Sequence, residues 1–171
     1  MQYISLAISI VALTISAVTF WIMRIKKGEV KMTRPSVIFF GPDGGGSQHR
    51  KIFIRTLLFS SAERGAYVQN MYVKLLGENI NQIFNIWVYD DKGLVRGSGL
   101  FVDKSGISAN HHFLLPKDEL GFRFTKGDYH LQVYVERMGR KPRKLYEQEL
   151  HLTEQQANEI NTNDAGVYFD W

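Results

Sequence analysis

The chain has 171 residues, with 21 basic and 17 acidic side chains, a net charge of +4, and no cysteine. The missing cysteines exclude disulfides, thiol nucleophiles and Cys-ligated zinc or iron–sulfur sites. Residues 24–34 carry five basic residues and one acidic one, so residues 35–171 hold 16 of each and sum to zero. The excess charge is therefore no argument for nucleic-acid binding, which would need a basic face on the folded domain, and no nucleic-acid partner is expected.

Residues 2–23 read QYISLAISIVALTISAVTFWIM, without a charge. As a helix this run is roughly 33 Å long at about 1.5 Å per residue, against a hydrocarbon core of about 30 Å. A buried helix of a soluble protein would show one polar face, and this run shows none. A cleaved signal peptide would carry cations before the apolar run and a small-residue cleavage site after it. Only Met1 and Gln2 precede the run, and Ser16 and Ala17 are followed by Val18, Thr19, Phe20 and Trp21, which continue it. The run is therefore predicted to be an uncleaved, single-pass transmembrane helix. Tyr3 and Trp21 stand near its two ends, where amphipathic rings favour the interface. Ser5, Ser9, Ala12, Ser16 and Thr19 recur at spacings of 4, 3, 4 and 3 along one stripe. Small stripes let helices approach closely in lipid, and this one is the candidate surface for packing against a second copy or a partner helix. The alternative is that these hydroxyls bond carbonyls one turn back in their own helix.

Arg24, Lys26, Lys27, Lys31 and Arg34 follow the span, opposed only by Glu29. A cationic flank stays on the cytoplasmic side. The expected topology is an inner-membrane protein with its N-terminus out and its C-terminal domain in the cytoplasm. Arg24, Lys26 and Lys27 are candidate lipid contacts. The expected organisation is a transmembrane helix over 1–23, a basic juxtamembrane linker over 24–34, and one folded domain over 35–171, a length that supports a single core.

Within the domain the signals are strand signals. Short β-branched and aromatic runs cover 36–40, 51–60 (with Ile52, Ile54, Thr56 and Leu58 on one face) and 67–76. A further run, 83–89, reads IFNIWVY and ends at the turn cluster Asp90-Asp91-Lys92-Gly93. Residues 94–102 follow, weakened by Gly97 and Gly99, then 107–115, closed by Pro116. Residues 129–137 alternate, with Tyr129, Leu131, Val133 and Val135 on one face, and 145–152 close the set. Many short strands with Gly- and Asp-rich turns predict an antiparallel sandwich or barrel. Thr153 followed by Gln156 has capping-box spacing and predicts one short helix over 154–161. Residues 167–171 are too apolar for a free tail and are expected to pack back on the sandwich or to form a short terminal strand.

The stretch Lys126-Gly127-Asp128-Tyr129-His130-Leu131 resembles the corner before strand F of immunoglobulin-like domains, where a Tyr sits two residues before an inward position. Tyr129 and Leu131 match that relation, and Trp87 matches the buried Trp of strand C. No cysteine pair links the sheets, so apolar packing must replace it. The phrases TRPSVIFFGPDG, FNIWVYDDKG, GSGLFV, NHHFLLP and GVYFDW resemble a group of uncharacterised bacterial single-span proteins. That likeness implies a bacterial membrane setting and no activity. The predicted fold is thus mainly β: an N-terminal transmembrane helix, an immunoglobulin-like sandwich and one short C-terminal helix.

The chemical candidates are few. His111 and His112 are adjacent, so on a strand they point to opposite faces, and a metal would need further ligands such as His130 or Asp103. The glycine-rich loop 41–47 lacks the Gly-Lys-Ser/Thr ending and following helix of a phosphate-binding loop, and Gly97-Ser98-Gly99 has no helix after it. Asp90-Asp91 and Asp118-Glu119 read as solvated turns. No catalytic set, cofactor or metal site is therefore expected. Arg140, Lys141, Arg143 and Lys144, with Arg137, form a basic hairpin tip with lipid contact as its candidate role, while residues 147–170 hold six acids and no cation. The sequence reads as a membrane-anchored, non-catalytic interaction or scaffold module. Its expected partners are membrane lipid and either a protein partner or a second copy, through the span, the sandwich or both. The alternative is a small-ligand, metal-binding or hydrolytic domain using His111 and His112.

Overall fold

The computed structural model describes residues 2–26, 28–43, 49–89, 95–96, 99–119, 121–163 and 165–170. Helix α1 (Gln2–Phe20) runs on as a π-helical turn, Trp21–Ile25. The turn ends where the Lys26 N–H donates to the Trp21 carbonyl, 2.8 Å away. Together these 24 residues are long and apolar enough to cross a membrane, and none is buried against the rest of the chain.

The remainder is mainly β. In chain order the strands are β1 (Val30–Met32), β2 (Val37–Pro42), β3 (Arg50–Ser60), β4 (Ala66–Gly77), β5 (Ile80–Phe84), β6 (Ile86–Tyr89), β7 (Val95–Arg96) and β8 (Leu100–Val102). They continue with β9 (Ile107–Leu114), β10 (Gly127–Arg137), β11 (Arg143–Leu152) and, after helix α2 (Glu154–Thr162), β12 (Val167–Asp170). One antiparallel sheet runs β12-β2-β3-β9-β6-β7, with β1 also on β3. The other runs β11-β10-β4-β5, with β8 also on β4.

Period-two alternation builds the core between the sheets. Ile52, Ile54, Thr56 and Leu58 of β3 turn inward, and so do Tyr129, Leu131, Val133 and Val135 of β10. An aromatic cluster fills one end: the Phe40 ring stacks on Phe124 at 4.9 Å and meets Tyr129 and Phe169 edge-on at 6.2 and 5.2 Å. The Tyr129 hydroxyl donates to the Thr125 carbonyl at 2.7 Å and accepts from the Thr125 N–H at 2.9 Å. This pins the loop that enters β10. Helix α2 starts at a full capping box between Thr153 and Gln156 and buries Ala157 and Ile160. Terminal β12 pairs with β2, in register Val167 to Phe40.

Three expectations change. The segment 24–34, expected as a linker, contributes β1 to the sheet. β1 and β2 lie along the same strand, β3, and Pro35, which has no N–H to give, separates them. Thr33 N–H and Ser36 N–H on either side of it still donate to Leu57 and Arg55 carbonyls at 3.0 Å. The run IFNIWVY is not one strand but two, broken at Asn85, with β5 in one sheet and β6 in the other. Trp87 therefore lies on β6 beside β9, in the sheet opposite Tyr129, and not on a strand C next to the Tyr129 strand. Residues 94–102 split likewise: β7 pairs with β6 and β8 with β4. Gly99 at the crossing has φ +122°, a conformation open to glycine. The turn acids Asp90 and Asp91, residues 44–47 of the glycine-rich loop and Gly97-Ser98 lie outside the described residues.

Candidate functional site

The histidines do not converge. His111 points into the core of the sandwich, 1% exposed. The Trp87 Nε1–H donates to its Nδ1 at 3.1 Å. An indole N–H can only donate, so Nδ1 carries no proton and Nε2 must. That Nε2–H is buried with no hydrogen-bond partner among the described residues. Burial first, then the neighbouring His112, lowers the His111 pKa to about 4. His112, one residue on, faces the other side of the sheet against Phe53, ring centroids 4.9 Å apart. Burial and then the Lys51 charge lower its pKa too. His130 stands on β10 in the opposite sheet and pairs with Glu147 at 3.1 Å. Asp103 accepts from the Ser105 hydroxyl at 2.6 Å and the Gly106 N–H at 3.0 Å, which closes its own turn and holds its carboxyl below the usual range. Among the described residues, no group of three or more His, Asp or Glu side chains is placed to hold a metal ion.

The described chemistry concentrates instead at the end of the sandwich next to the span. Three loops meet there: 61–65 between β3 and β4, 103–106 between β8 and β9, and 138–142 between β10 and β11. They grip the chain as it leaves the helix. Arg137 Nη1 donates to the Gly28 carbonyl at 2.8 Å. The Glu29 N–H donates to Ser61 Oγ at 2.9 Å, and the Ser61 N–H returns to the Glu29 carbonyl at 2.9 Å. Arg143 Nη1 lies 2.7 Å from Glu29 Oε2 and holds the Glu29 carboxyl below its ordinary pKa. Gly28 is needed at this crossing, because a Cβ there would stand 2.1 Å from Ser60 Oγ. The domain is thus fixed from the third residue past the end of the helix.

Beside this grip opens a cleft of about 310 Å³, lined by Arg64, Tyr67, Phe101, Arg137, Met138 and Arg140 among others. Tyr67 and Phe101 face each other across β4 and β8, rings 4.8 Å apart, and are 67% and 43% exposed. Met138, at the hairpin tip, is 80% exposed. Met23 and Arg24 of the helix end share a second cleft with Glu63 and Arg64.

The basic tip divides by role. Arg143 is paired with Glu29, and Lys144 with Glu147, while Arg137 clamps Gly28. Arg140 and Lys141 have no acidic partner among the described residues, and neither does Arg64 across the cleft. Arg24 and Lys26 are exposed at the helix end, and Lys27 lies outside the described residues. In the span, Ser5 Oγ donates to the Gln2 carbonyl at 3.1 Å and Ser9 Oγ to the Ser5 carbonyl at 2.9 Å. The Ser5 and Ser9 hydroxyls are thus satisfied within their own helix, and at these two positions the Ser5, Ser9, Ala12, Ser16, Thr19 stripe offers small size rather than free donors. Sequence reasoning missed Arg64, Tyr67, Phe101 and Met138. Only the odd placement of a large aromatic at an outward strand position pointed to Tyr67.

No protein-family model matches the sequence, and no curated protein matches it. Among solved structures, a crystal structure of the "Putative ApaA Protein" from Bordetella pertussis is similar at 14% identity and a TM-score of 0.40. The match covers 75% of this chain and 97% of that one, a likeness too distant to bear on function.

Proposed function

We propose that the chain is a membrane-anchored, non-catalytic interaction module. The apolar helix crosses the inner membrane once with its N-terminus out, and the sandwich is presented in the cytoplasm to a second copy of the chain or to a protein partner. The observation that carries this reading is the grip on residues 28–29. A domain fixed from the third residue past an unburied apolar helix stays beside the end of that helix. The cationic flank beyond Ile25 supports the orientation.

We also read the sandwich as immunoglobulin-like. The order β2-β3-β9-β6 against β11-β10-β4-β5 follows the A-B-E-D and G-F-C-C′ arrangement of such domains. Tyr129 at the start of the F-like strand bonds back to the backbone as their corner tyrosine does, and Leu131 takes the inward position two residues on. In this reading the C-like strand is β4, and Trp87 is no marker of it. The likeness to bacterial single-span proteins fits the same setting.

Self-association through the span is tested in membranes. A cysteine at Ala12→Cys, in a chain otherwise free of cysteine, is expected to form disulfide-linked dimers on mild oxidation. Ile10→Cys, about 200° around the helix, is expected not to. Adding Ser9→Leu and Ser16→Leu to the Ala12→Cys chain should cut the dimer yield severalfold, because bulk on the stripe holds the backbones apart. An unchanged yield removes the span as the association surface.

A further inference from the structure

We infer that the span-facing end of the sandwich is a docking surface for anionic lipid headgroups, with Arg64, Arg140 and Lys141 taking the phosphates and Met138, Tyr67 and Phe101 entering the interface. The inference rests on the anchored reading of the apolar helix, and not on which side of the membrane the domain occupies.

Reach comes first. Gly28 is three residue steps beyond Ile25, a span of at most about 10 Å for extended chain. The headgroup layer is itself about 5–7 Å thick on each face, the difference between the hydrocarbon core and the whole bilayer shared over two sides. Arg137 and the 61–65 loop hold residues 28–29 in the sandwich, so this end stays within the headgroup layer or a few ångströms of it. Cations at that depth lie inside the Debye length of about 8 Å and feel the surface potential.

Charge comes second. Lys104 is balanced by Glu63 and Arg143 by Glu29. The Asp103 carboxylate is occupied by its own turn. Among the described residues the cations without an acidic partner at this end are Arg64, Arg137, Arg140 and Lys141, against the one carboxylate of Asp103, so the balance is positive. Residues 147–170, with six acids and no cation, lead into and past α2, whose start follows the β11 end paired to Gly127, at the far end of the sandwich. The domain is therefore polarised, with its positive end at the membrane.

The third point is the apolar surface. Exposed apolar side chains that cluster, unlike ones scattered singly, mark a contact surface. Here Tyr67, Phe101 and Met138 cluster beside unpaired arginines, the mixture of aromatic body and cationic rim that suits the membrane interface. A soluble anion would use the arginines and leave the apolar group in water, whereas a lipid surface covers both.

The test uses the full chain in nanodiscs of phosphatidylcholine alone and of phosphatidylcholine with phosphatidylglycerol. Met138→Cys carries a fluorophore, and headgroup-spin-labelled lipid is the quencher. Quenching is expected to be strong in the anionic discs, weak in the neutral ones, and to fall as salt rises. With Arg64→Glu and Arg140→Glu added, the ratio of docked to undocked domain should drop about thirtyfold or more, which is two cations at about 1 kcal/mol each. Equal quenching in both disc types, without salt dependence, overturns the inference, because the tether alone then sets the distance. The salt arm needs no charge variant and stands if the double variant misfolds. A chain that fails to co-elute with either disc instead overturns the anchored reading, and the inference with it.

Discussion

Replacing Phe40 with alanine is expected to lower the unfolding free energy by about 3–5 kcal/mol, the usual cost of emptying a fully buried aromatic site. Phe40 is completely buried, and its ring is shared by three neighbours. It stacks on Phe124 and receives the edges of Tyr129 and Phe169. Each such pair adds about 0.5–1.5 kcal/mol beyond area alone. The neighbours also come from separate places in the chain: the loop before β10, the start of β10, and β12. The cavity therefore loosens the terminal strand as well as the core. Domains are stable by about 5–15 kcal/mol, so the loss is a large share of the total. Thermal unfolding of the full chain in detergent should show a midpoint lowered by about 10–15 °C for a domain of this size. Phe40→Leu, which refills most of the volume, should lose less than half as much. A Phe40→Ala midpoint within a few degrees of the parent would mean that the aromatic cluster does not hold β12 to the sandwich.

Acidification is the second large effect. The His111 pKa is about 4 in the folded chain, against 6.5 unperturbed. Between those values the unfolded chain binds a proton that the folded chain refuses, so stability rises with pH across this window. It is fully present above about pH 6.5 and is lost progressively as pH falls toward 4. At about 1.4 kcal/mol per unit, the loss is about 3 kcal/mol. His112, also shifted down, acts in the same direction. The physical cause is plain in the geometry. A proton on Nδ1 would face the Trp87 N–H, two donors against each other, in a site with no water-exposed side. Urea unfolding of the full chain in detergent between pH 7 and 4.5 reads this directly. His111→Phe should flatten most of the slope, although it costs about 1–3 kcal/mol at pH 7 by leaving the Trp87 N–H unpaired. A slope unaltered by His111→Phe would place the acid sensitivity elsewhere. The carboxylates Glu29, Asp103, Glu147 and Glu154, held below their ordinary values by hydrogen bonds and neighbouring cations, add to the slope only toward its acid end, where unfolded carboxylates begin to take up protons.

The strands whose pattern is purely local were legible before the structure. In β3 and β10 alternate residues are mostly apolar (Ile52, Ile54 and Leu58; Tyr129, Leu131, Val133 and Val135), so the buried face could be read. The capping box of α2 and the apolar ending that became β12 were legible for the same reason. IFNIWVY was read as one strand because it is unbroken in hydrophobicity. Its phase, however, is broken: Phe84 and Trp87 both enter the core between the sheets and stand three apart, whereas a regular two-residue period would send them to opposite faces. The period slip at Asn85 was the readable sign of a change of sheet. β1 escaped notice because three residues in a charged segment carry almost no pattern.

The docking end was hardly legible at all. Arg64, Phe101 and Met138 come from three loops or edges far apart in sequence, and only the sheet pairing brings them together. Conversely, the histidine pair that drew attention in the sequence is separated by the same strand geometry that made it adjacent, with one ring in the core and the other outside.

The topology proposed above holds the domain against the cytoplasmic face by an uncleaved helix. Because the chain has no cysteine, single cysteines report position without background. In intact cells, a membrane-impermeant maleimide should label Gln2→Cys and leave Gln155→Cys unmodified until the membrane is opened. Both forms should stay in the pellet after alkaline extraction. Labelling of Gln155→Cys in unbroken cells, or recovery of either form in the soluble fraction, would contradict it.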